Sequence, residues 1–219
     1  MQLSIADVLE PSDVAAIVAA LAGHAFVDGR ATAGWAAAGV KRNLQAADDA
    51  RLDLLRETVT ARLLAHPLFV MAARPRSITR LLFSRYEPGH AYGAHVDAAV
   101  MDGQRVDVAF TLFLSDPATY TGGALVLHTS AGEQSIKPPA GCAVVYPATT
   151  LHEVEPVTAG VRLAAVGWVR SQVRDAARRE LLFDLDTAQR RLFAAQGAGP
   201  EVDLVAKSLA NLQRMWVED

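Results

Sequence analysis

Apolar residues recur with two different periods along this chain, and the period changes twice. Over residues 1–76 and 173–219 they lie three or four positions apart, which is typical of helices packed on a core. Over residues 77–172 short apolar runs are separated by glycine and proline, which is typical of strands. The sequence therefore predicts an α+β chain in three parts: helical and edge-strand support at 1–76, a β core at 77–172 and a helical extension at 173–219.

The first part contains two predicted helices. Residues 14–21 are rich in Ala, Val and Leu, and Ser12 or Asp13 is placed to cap the helix. A second helix is predicted at 46–65, where a rough helical stripe of leucine and valine ends before Pro67. The rest of this part is predicted to be a short edge strand at 3–8 and irregular structure at 29–40.

The central part is predicted to be all β. Its strands follow one another with turn signals and no intervening helices, which favours a sandwich or jelly roll over a parallel sheet. The predicted strands are 78–86, 94–96, 106–114, 124–128, 134–137, 143–146, 153–156 and 162–170.

The third part returns to a helical pattern. Residues 174–180 are predicted to be a solvated helix start, and residues 197–200 break the helix before a last one at 202–217. An apolar stripe on this last helix must bury against the core, the other helix or another chain. The sequence leaves these three open, and we expect a homodimer through the C-terminal helices. The stripe consists of Val205, Leu209, Leu212 and Trp216.

Composition limits the class of protein and of partner. The chain has 219 residues, of which 51% are hydrophobic and 21% charged, so intrinsic disorder is excluded. A formal net charge of −3 gives no basic surface for nucleic acid. A small-molecule or peptide partner is predicted instead.

Cysteine usage and the N-terminal residues bear on location. The single Cys142 cannot form an internal disulfide, which favours a reducing compartment. The N-terminal residues lack the pattern of a signal peptide, and no apolar stretch reaches the ~18 residues needed to cross a bilayer. We therefore expect a cytoplasmic protein that has no membrane partner.

A His-x-Asp pair is the strongest chemical signal. If His95 and Asp97 lie on one strand, the two-residue period places an imidazole and a carboxylate on the same face. His152, beside another strand-like run, is the candidate third ligand, and His128 is a competitor whose expected place is a solvent-facing strand position. Two histidines and one carboxylate leave metal positions open, as in non-haem Fe(II) oxygenases. Arg162 follows His152 by ten residues.

These residues and their flanks resemble a known family. The motifs are Arg85-Tyr86-x-Pro88-Gly89, the segment 120–125, Tyr146-Pro147 before His152, and Val157-Thr158-x-Gly160-x-Arg162. The stretch 77–186 resembles the Fe(II)/2-oxoglutarate-dependent dioxygenases of the prolyl-4-hydroxylase-like branch, and most of all the bacterial PKHD-type hydroxylases.

The resemblance implies a fold and a reaction. The fold is a double-stranded β-helix, or jelly roll. The reaction is hydroxylation of an unactivated C–H bond with O2, while 2-oxoglutarate is converted to succinate and CO2, with ascorbate as a stimulant. Fe(II) is expected on His95, Asp97 and His152, with Arg162 binding the distal carboxylate of 2-oxoglutarate through two parallel hydrogen bonds.

Other roles follow from the resemblance. Tyr86 would hydrogen-bond the co-substrate carboxylate, Thr111 could add a hydroxyl, and Leu125 would pack on the co-substrate chain. Phe113 stands where some relatives carry a further tyrosine. His90 and Tyr92 could touch substrate or could be ordinary loop residues.

Two alternatives stay open at this point. A cupin-like protein would bind metal or a small ligand without turnover, because this architecture hosts unrelated functions. A sensor of 2-oxoglutarate or iron would keep the site and act through a partner. The primary substrate is not legible in the sequence.

Overall fold

Six α-helices and sixteen strands form the part of the chain described by this computed structural model, residues 1–218. The helices are α1 Pro11–Ala22, α2 Trp35–Ala38, α3 Ala50–Ala65, α4 Pro67–Ala73, α5 Ala176–Gln196 and α6 Pro200–Trp216. The first eight strands are β1 Leu3–Ile5, β2 Phe26–Asp28, β3 Lys41–Arg42, β4 Leu44–Ala46, β5 Pro75–Tyr86, β6 Ala91–His95, β7 Val100–Met101 and β8 Gln104–Arg105. The others are β9 Val108–Phe113, β10 Tyr120–Gly122, β11 Leu125–Thr129, β12 Gly132–Ile136, β13 Ala143–Pro147, β14 Leu151–Val154, β15 Val157–Gly160 and β16 Arg162–Ser171.

Two antiparallel sheets form the core, as predicted for a jelly roll. The larger sheet has seven strands in the order β1-β13-β9-β16-β5-β4-β2, and the smaller has five in the order β12-β11-β14-β6-β3. Two short ribbons, β7-β8 and β10-β15, lie beside them. The predicted α+β fold with a jelly-roll core is therefore confirmed.

The larger sheet separates a helical layer from the space between the sheets. On β16, Ala165 and Val169 belong to the apolar core shared with α1, α3 and α4. Alternate residues on the same strand, Arg162, Val166 and Trp168, line a cavity on the other side. The two-residue period of the strand thus gives one sheet a structural face and a chemical face.

Several N-terminal predictions need correction. The first helix starts at Pro11, and Glu10 rather than Ser12 or Asp13 is its N-cap, in a capping box with Asp13. The second starts at Ala50 because residues 44–46 form a strand, and Pro67 begins α4 instead of ending the helical region. Proline is tolerated in the first turn of a helix, so α4 follows directly. Residues 29–40, predicted as irregular, contain a 3-10 turn and α2.

The central strands differ most near the candidate ligands. Strand β6 ends at His95, one residue before the end of the strand predicted at 94–96, so Asp97 lies two residues beyond it and the condition that both residues share one strand is not met. His152 lies within β14, which begins earlier than the predicted strand. The short strands β7, β8, β10 and β15 were not predicted, because two- to four-residue segments carry little periodicity.

The apolar stripe of α6 packs on α5 of the same chain. Leu209, Leu212 and Trp216 join Leu182 and Leu185 in one cluster. The apolar stripe through which we expected a homodimer is therefore covered by α5 of the same chain. The homodimer stays a prediction. No helix within residues 1–218 combines the length and the apolar character needed to cross a membrane.

The start of α5 is solvated as predicted at residues 174–178 and 180, and Arg179 is the exception. Its side chain is buried and donates to the backbone carbonyls of Val173, Arg174 and Asp107. A buried guanidinium whose donors meet carbonyls fixes the helical extension to the β core. The three-part division of the chain stays a prediction; its first 76 residues contribute strands to both sheets.

Candidate metal centre and anion-binding cavity

A cavity of about 540 Å³ lies between the two sheets and contains the candidate residues. The smaller sheet contributes His95 and His152, and the larger sheet contributes Tyr86, Thr111 and Arg162. A further candidate, Leu125, also lines it. The fold therefore brings together residues that are up to 76 positions apart in sequence.

His95, Asp97 and His152 form a cluster of ligand geometry. One ligand atom from each lies within 4.8 Å of the other two, and this is the one such group among residues 1–218. His95 and His152 are paired across β6 and β14, so their rings stand 4.3 Å apart between centroids. The Asp97 Oδ1 atom lies 3.9 Å from His152 Nε2. Asp97 therefore reaches the cluster although it lies beyond the strand.

Backbone carbonyls orient both imidazoles. The Nδ1 atom of His95 lies 2.9 Å from the Gly93 carbonyl, and that of His152 lies 2.9 Å from the Thr150 carbonyl. A carbonyl can only accept, so each Nδ1 carries the proton and each Nε2 keeps its lone pair for a metal. Burial lowers the pKa of His95 to about 3, so this ring stays neutral as a ligand must.

The buried Asp97 carboxylate is only partly compensated by neighbouring groups of the protein. Burial raises its pKa, while His152, the Trp168 indole N–H and Lys41 oppose the rise. Its Oδ2 and the Trp168 Nε1 are both buried without a partner of full hydrogen-bond geometry. A divalent cation on Oδ1 and the two Nε2 atoms would supply the missing positive charge. The donor set of two imidazoles and one carboxylate thus fits Fe(II).

Arg162 is the largest fully buried side chain of the described residues, with 1% of its surface exposed. Its guanidinium carbon lies 5.1 Å from the Tyr86 ring centroid and 5.2 Å from that of Phe113. Gly123, at φ +65°, makes room for it, since a Cβ there would lie 3.1 Å from Arg162 Cδ. Phe113 therefore packs on the cation as an aromatic face, where a tyrosine would add a hydroxyl.

No guanidinium nitrogen of Arg162 has a partner of full hydrogen-bond geometry among the described residues, although the rise that burial causes in the pKa of Tyr120 is opposed by the nearby charge of Arg162 and by a hydrogen bond to it. An unpaired buried charge costs several kcal/mol, and a planar guanidinium matches a carboxylate with two parallel bonds. The neighbouring ring hydroxyls are neutral, because burial raises the pKa of Tyr86 and of Tyr120. The site thus fits a carboxylate of a small molecule, such as the distal carboxylate of 2-oxoglutarate.

Other sequence candidates divide into those inside and those outside the cavity. Tyr92 lines it and stacks on His95 with ring centroids 3.6 Å apart. His90 does not line it; its Nδ1 accepts from the Glu87 N–H, as an ordinary loop residue. His128 lies near Glu133 and Glu153 and is not part of the ligand cluster.

Sequence reasoning missed a polar wall contributed by the N-terminal part. Lys41, Asn43 and Gln45 are all buried and line the cavity. A possible signal was their alternation: three polar residues two apart, which places them on one face of an extended segment. From sequence alone such a polar face is predicted to be exposed to solvent. It is buried because β3 pairs with the smaller sheet and β4 with the larger one.

Comparisons with known proteins agree with this geometry. Residues 81–170 match the family model described as the 2OG-Fe(II) oxygenase superfamily. A PKHD-type hydroxylase from Acaryochloris marina is 54% identical over the full length of both chains. One from Maricaulis maris is 53% identical over 89% of each chain.

Two solved structures share the fold. A prolyl-4-hydroxylase from Pseudomonas putida has a TM-score of 0.57 at 23% identity, covering 78% of this chain and 92% of that chain. HygX from Streptomyces hygroscopicus, solved with nickel and 2-oxoglutarate bound, has a TM-score of 0.56 at 15% identity. This match covers 78% of this chain and 84% of HygX.

The ligand assignment can be tested by comparing two histidines on paired strands. His152→Ala is expected to lower affinity for Fe(II) or Mn(II) at least tenfold, because it removes one of three ligands. His128→Ala is the matched control and is expected to bind like wild type. Equilibrium dialysis under anaerobic conditions measures both. Tight binding by His152→Ala would contradict the assignment.

The unpaired charge of Arg162 makes a prediction about stability. Arg162→Met removes a buried cation that has no partner, so the ligand-free protein is expected to melt at or above the wild-type temperature. The control Arg179→Met leaves three backbone carbonyls without their donor and is expected to cost about 1–3 kcal/mol. At this size that lowers the melting midpoint by at least about 2 °C. A marked loss of stability in Arg162→Met would mean that its guanidinium is already compensated.

Proposed function

This chain belongs to the PKHD-type hydroxylases of the 2OG-Fe(II) oxygenase superfamily, and is thus a dioxygenase; we propose that it hydroxylates an unactivated C–H bond of a peptidic or small-molecule substrate. The observation that carries this proposal is an unpaired, buried guanidinium in the same cavity as a two-histidine, one-carboxylate cluster. A metal-only binder would have no use for Arg162, which argues against the cupin-like alternative. No feature of the cavity favours the sensor alternative over turnover.

The cluster residues hold the metal. His95, Asp97 and His152 would bind Fe(II) on one face and leave positions open for co-substrate and oxygen. Bound Fe(II), 2-oxoglutarate and O2 supply the oxidation, which yields succinate, CO2 and the hydroxylated product. The protein contributes orientation, because the Gly93 and Thr150 carbonyls hold the two imidazoles in place.

The larger sheet anchors the co-substrate. Arg162 would bind the distal carboxylate of 2-oxoglutarate, with Tyr86 as a neutral hydroxyl donor beside it. Tyr86 and Arg162 are paired across β5 and β16, which fixes their spacing. Thr111 and Leu125 line the same cavity and would complete the co-substrate wall with a hydroxyl and an apolar contact.

The substrate class rests on relatives and on charge. A structural relative is named a prolyl-4-hydroxylase, and HygX has been solved with hygromycin B bound. Peptides and small molecules are thus the classes we propose, and the net charge of −3 offers no support for nucleic acid. We also expect ascorbate to stimulate turnover by keeping the iron reduced.

Turnover tests the function directly. The protein is incubated with Fe(II), 2-oxoglutarate, oxygen and ascorbate, with and without a bacterial extract of peptides and metabolites as a source of substrate. Succinate is expected to form, to increase with the extract, and to disappear after metal removal by a chelator. An absence of metal-dependent succinate under both conditions would contradict the proposal.

Tyr86→Phe tests the anchor while preserving the ring. Loss of one hydrogen bond to a charged group is worth about 1.5–3 kcal/mol, so half-maximal turnover should need about ten- to a hundredfold more 2-oxoglutarate. Affinity for Fe(II) should stay at the wild-type value. An unchanged 2-oxoglutarate requirement would remove Tyr86 from the co-substrate site.

A further inference from the structure

Lys41 is a buried cation whose charge the function proposed above does not use. It lies on β3 opposite Tyr92 of β6, and its side chain lines the cavity with 5% of the residue exposed. The Nζ atom lies 5.0 Å from the centroid of the Tyr92 ring, and that ring stacks on His95. Lys41 is therefore one aromatic ring away from a metal ligand.

Lys41 has no carboxylate as a direct partner in the described part of the chain. Its Nζ donates to Thr32 Oγ1 at 3.0 Å, and no carboxylate lies within 4.0 Å of it among residues 1–218. An ammonium has three N–H donors, so two remain for a ligand. Asn43, two residues along, lines the same cavity; both its amide atoms are buried without a partner of full hydrogen-bond geometry, and its side chain lies within reach of the Tyr86 hydroxyl.

The charges of the groups that line the cavity indicate that a ligand of Lys41 would be an anion. Arg80 and Asp102 at the mouth neutralise each other through two hydrogen bonds. Lys41 and Arg162 are then opposed only by Asp97, so the cavity's own groups carry one net positive charge. Fe(II) and the dianion 2-oxoglutarate cancel each other and leave that charge in place. One monoanionic group would balance it.

We propose that Lys41 and Asn43 form a recognition subsite for a carboxylate of the primary substrate, which narrows the substrate class to acidic peptides and small carboxylic acids. The inference rests on the proposed function, because it takes the cluster and Arg162 as already occupied. A carboxylate carries the single charge that the cavity lacks, whereas a phosphate carries close to two. The two N–H donors of Lys41 and the amide of Asn43 match its two oxygens.

A structural role for Lys41 is the competing explanation. Its ammonium covers Tyr92 and holds Thr32, which accepts from Lys41 and donates to Gln45. A cation kept only for these contacts would be indifferent to the charge of a ligand. Discrimination between an acid and its amide therefore separates the two roles, because an amide has the same shape and no charge.

The test uses matched pairs of probes. N-acetyl-amino acids and the corresponding primary amides are titrated by calorimetry into the anaerobic complex of the protein with Mn(II) and 2-oxoglutarate. In wild type, at least one acid is expected to bind about tenfold more tightly than its amide, the effect of a hydrogen-bonded opposite charge. Absence of any such preference in wild type overturns the proposal, whether or not a variant folds.

Two lysine variants test whether Lys41 causes the preference for the acid over its amide. Lys41→Met keeps the length of the side chain and removes its charge, and the acid-to-amide ratio is expected to fall to about one. Lys207→Met makes the same change at an exposed position of α6 and is expected to keep the wild-type ratio. A Lys41→Met protein that still prefers the acid overturns the assignment.

The same titrations separate this proposal from the function on which it rests. Lys41→Met should bind 2-oxoglutarate as tightly as wild type; a loss of that affinity would assign Lys41 to the co-substrate and overturn the subsite. Failure of the proposed function gives a different result: wild type would then bind no 2-oxoglutarate to its Mn(II) complex, as expected of a metal-only binder, or would bind it and form no succinate in the turnover assay, as expected of a sensor. Acid preference without 2-oxoglutarate binding would overturn the subsite as stated, because the subsite is defined beside an occupied anchor.

Discussion

A guanidinium buried without a partner is the constraint on which this structure depends. Arg162 lies at the start of β16, enclosed by Tyr86, Phe113 and the turn at Gly123, and among residues 1–218 none of its nitrogens has a partner of full hydrogen-bond geometry. Burial of such a group is unfavourable until an anion replaces the lost water. The protein thus keeps part of its interior unfilled and charged, and the proposed selectivity of the cavity for a carboxylate rests on this destabilising feature.

The two sheets divide the work of the site. The smaller sheet presents the imidazoles of His95 and His152, while the larger sheet presents Arg162 and is held by three helices on its opposite face. The separation between the two histidines and Arg162 is therefore set by sheet packing and not by a loop. A co-substrate that spans the two sheets must match this separation, so length as well as charge selects it. Lys41 lies on β3, an edge strand of the smaller sheet that comes from the N-terminal part of the chain, outside the stretch matched by the superfamily model.

The features that could be predicted from sequence were those set by residues close together in the chain. The fold class and the main strands followed from apolar periodicity and turn residues, and the spacing of His95, Asp97, His152 and Arg162 singled out the residues that the structure gathers in one cavity. The pairing of distant strands and the docking of helices could not be predicted from sequence. Lys41 and Asn43 look like exposed polar residues until β3 and β4 join the sheets, and Arg179 looks solvated until α5 docks. Pro67 looked like a terminator because the same residue both ends and begins helices.

The most direct measurement is an anaerobic titration of the Fe(II) protein with 2-oxoglutarate, followed by the visible metal-to-ligand charge-transfer band. Wild type is expected to develop a saturable band. Arg162→Gln should bind Fe(II) normally and yet show no band at concentrations that saturate wild type. Arg85→Gln, which removes a guanidinium paired with Glu87 outside the cavity, should titrate like wild type. A band of wild-type strength and midpoint in Arg162→Gln, or no band in wild type, would contradict the account.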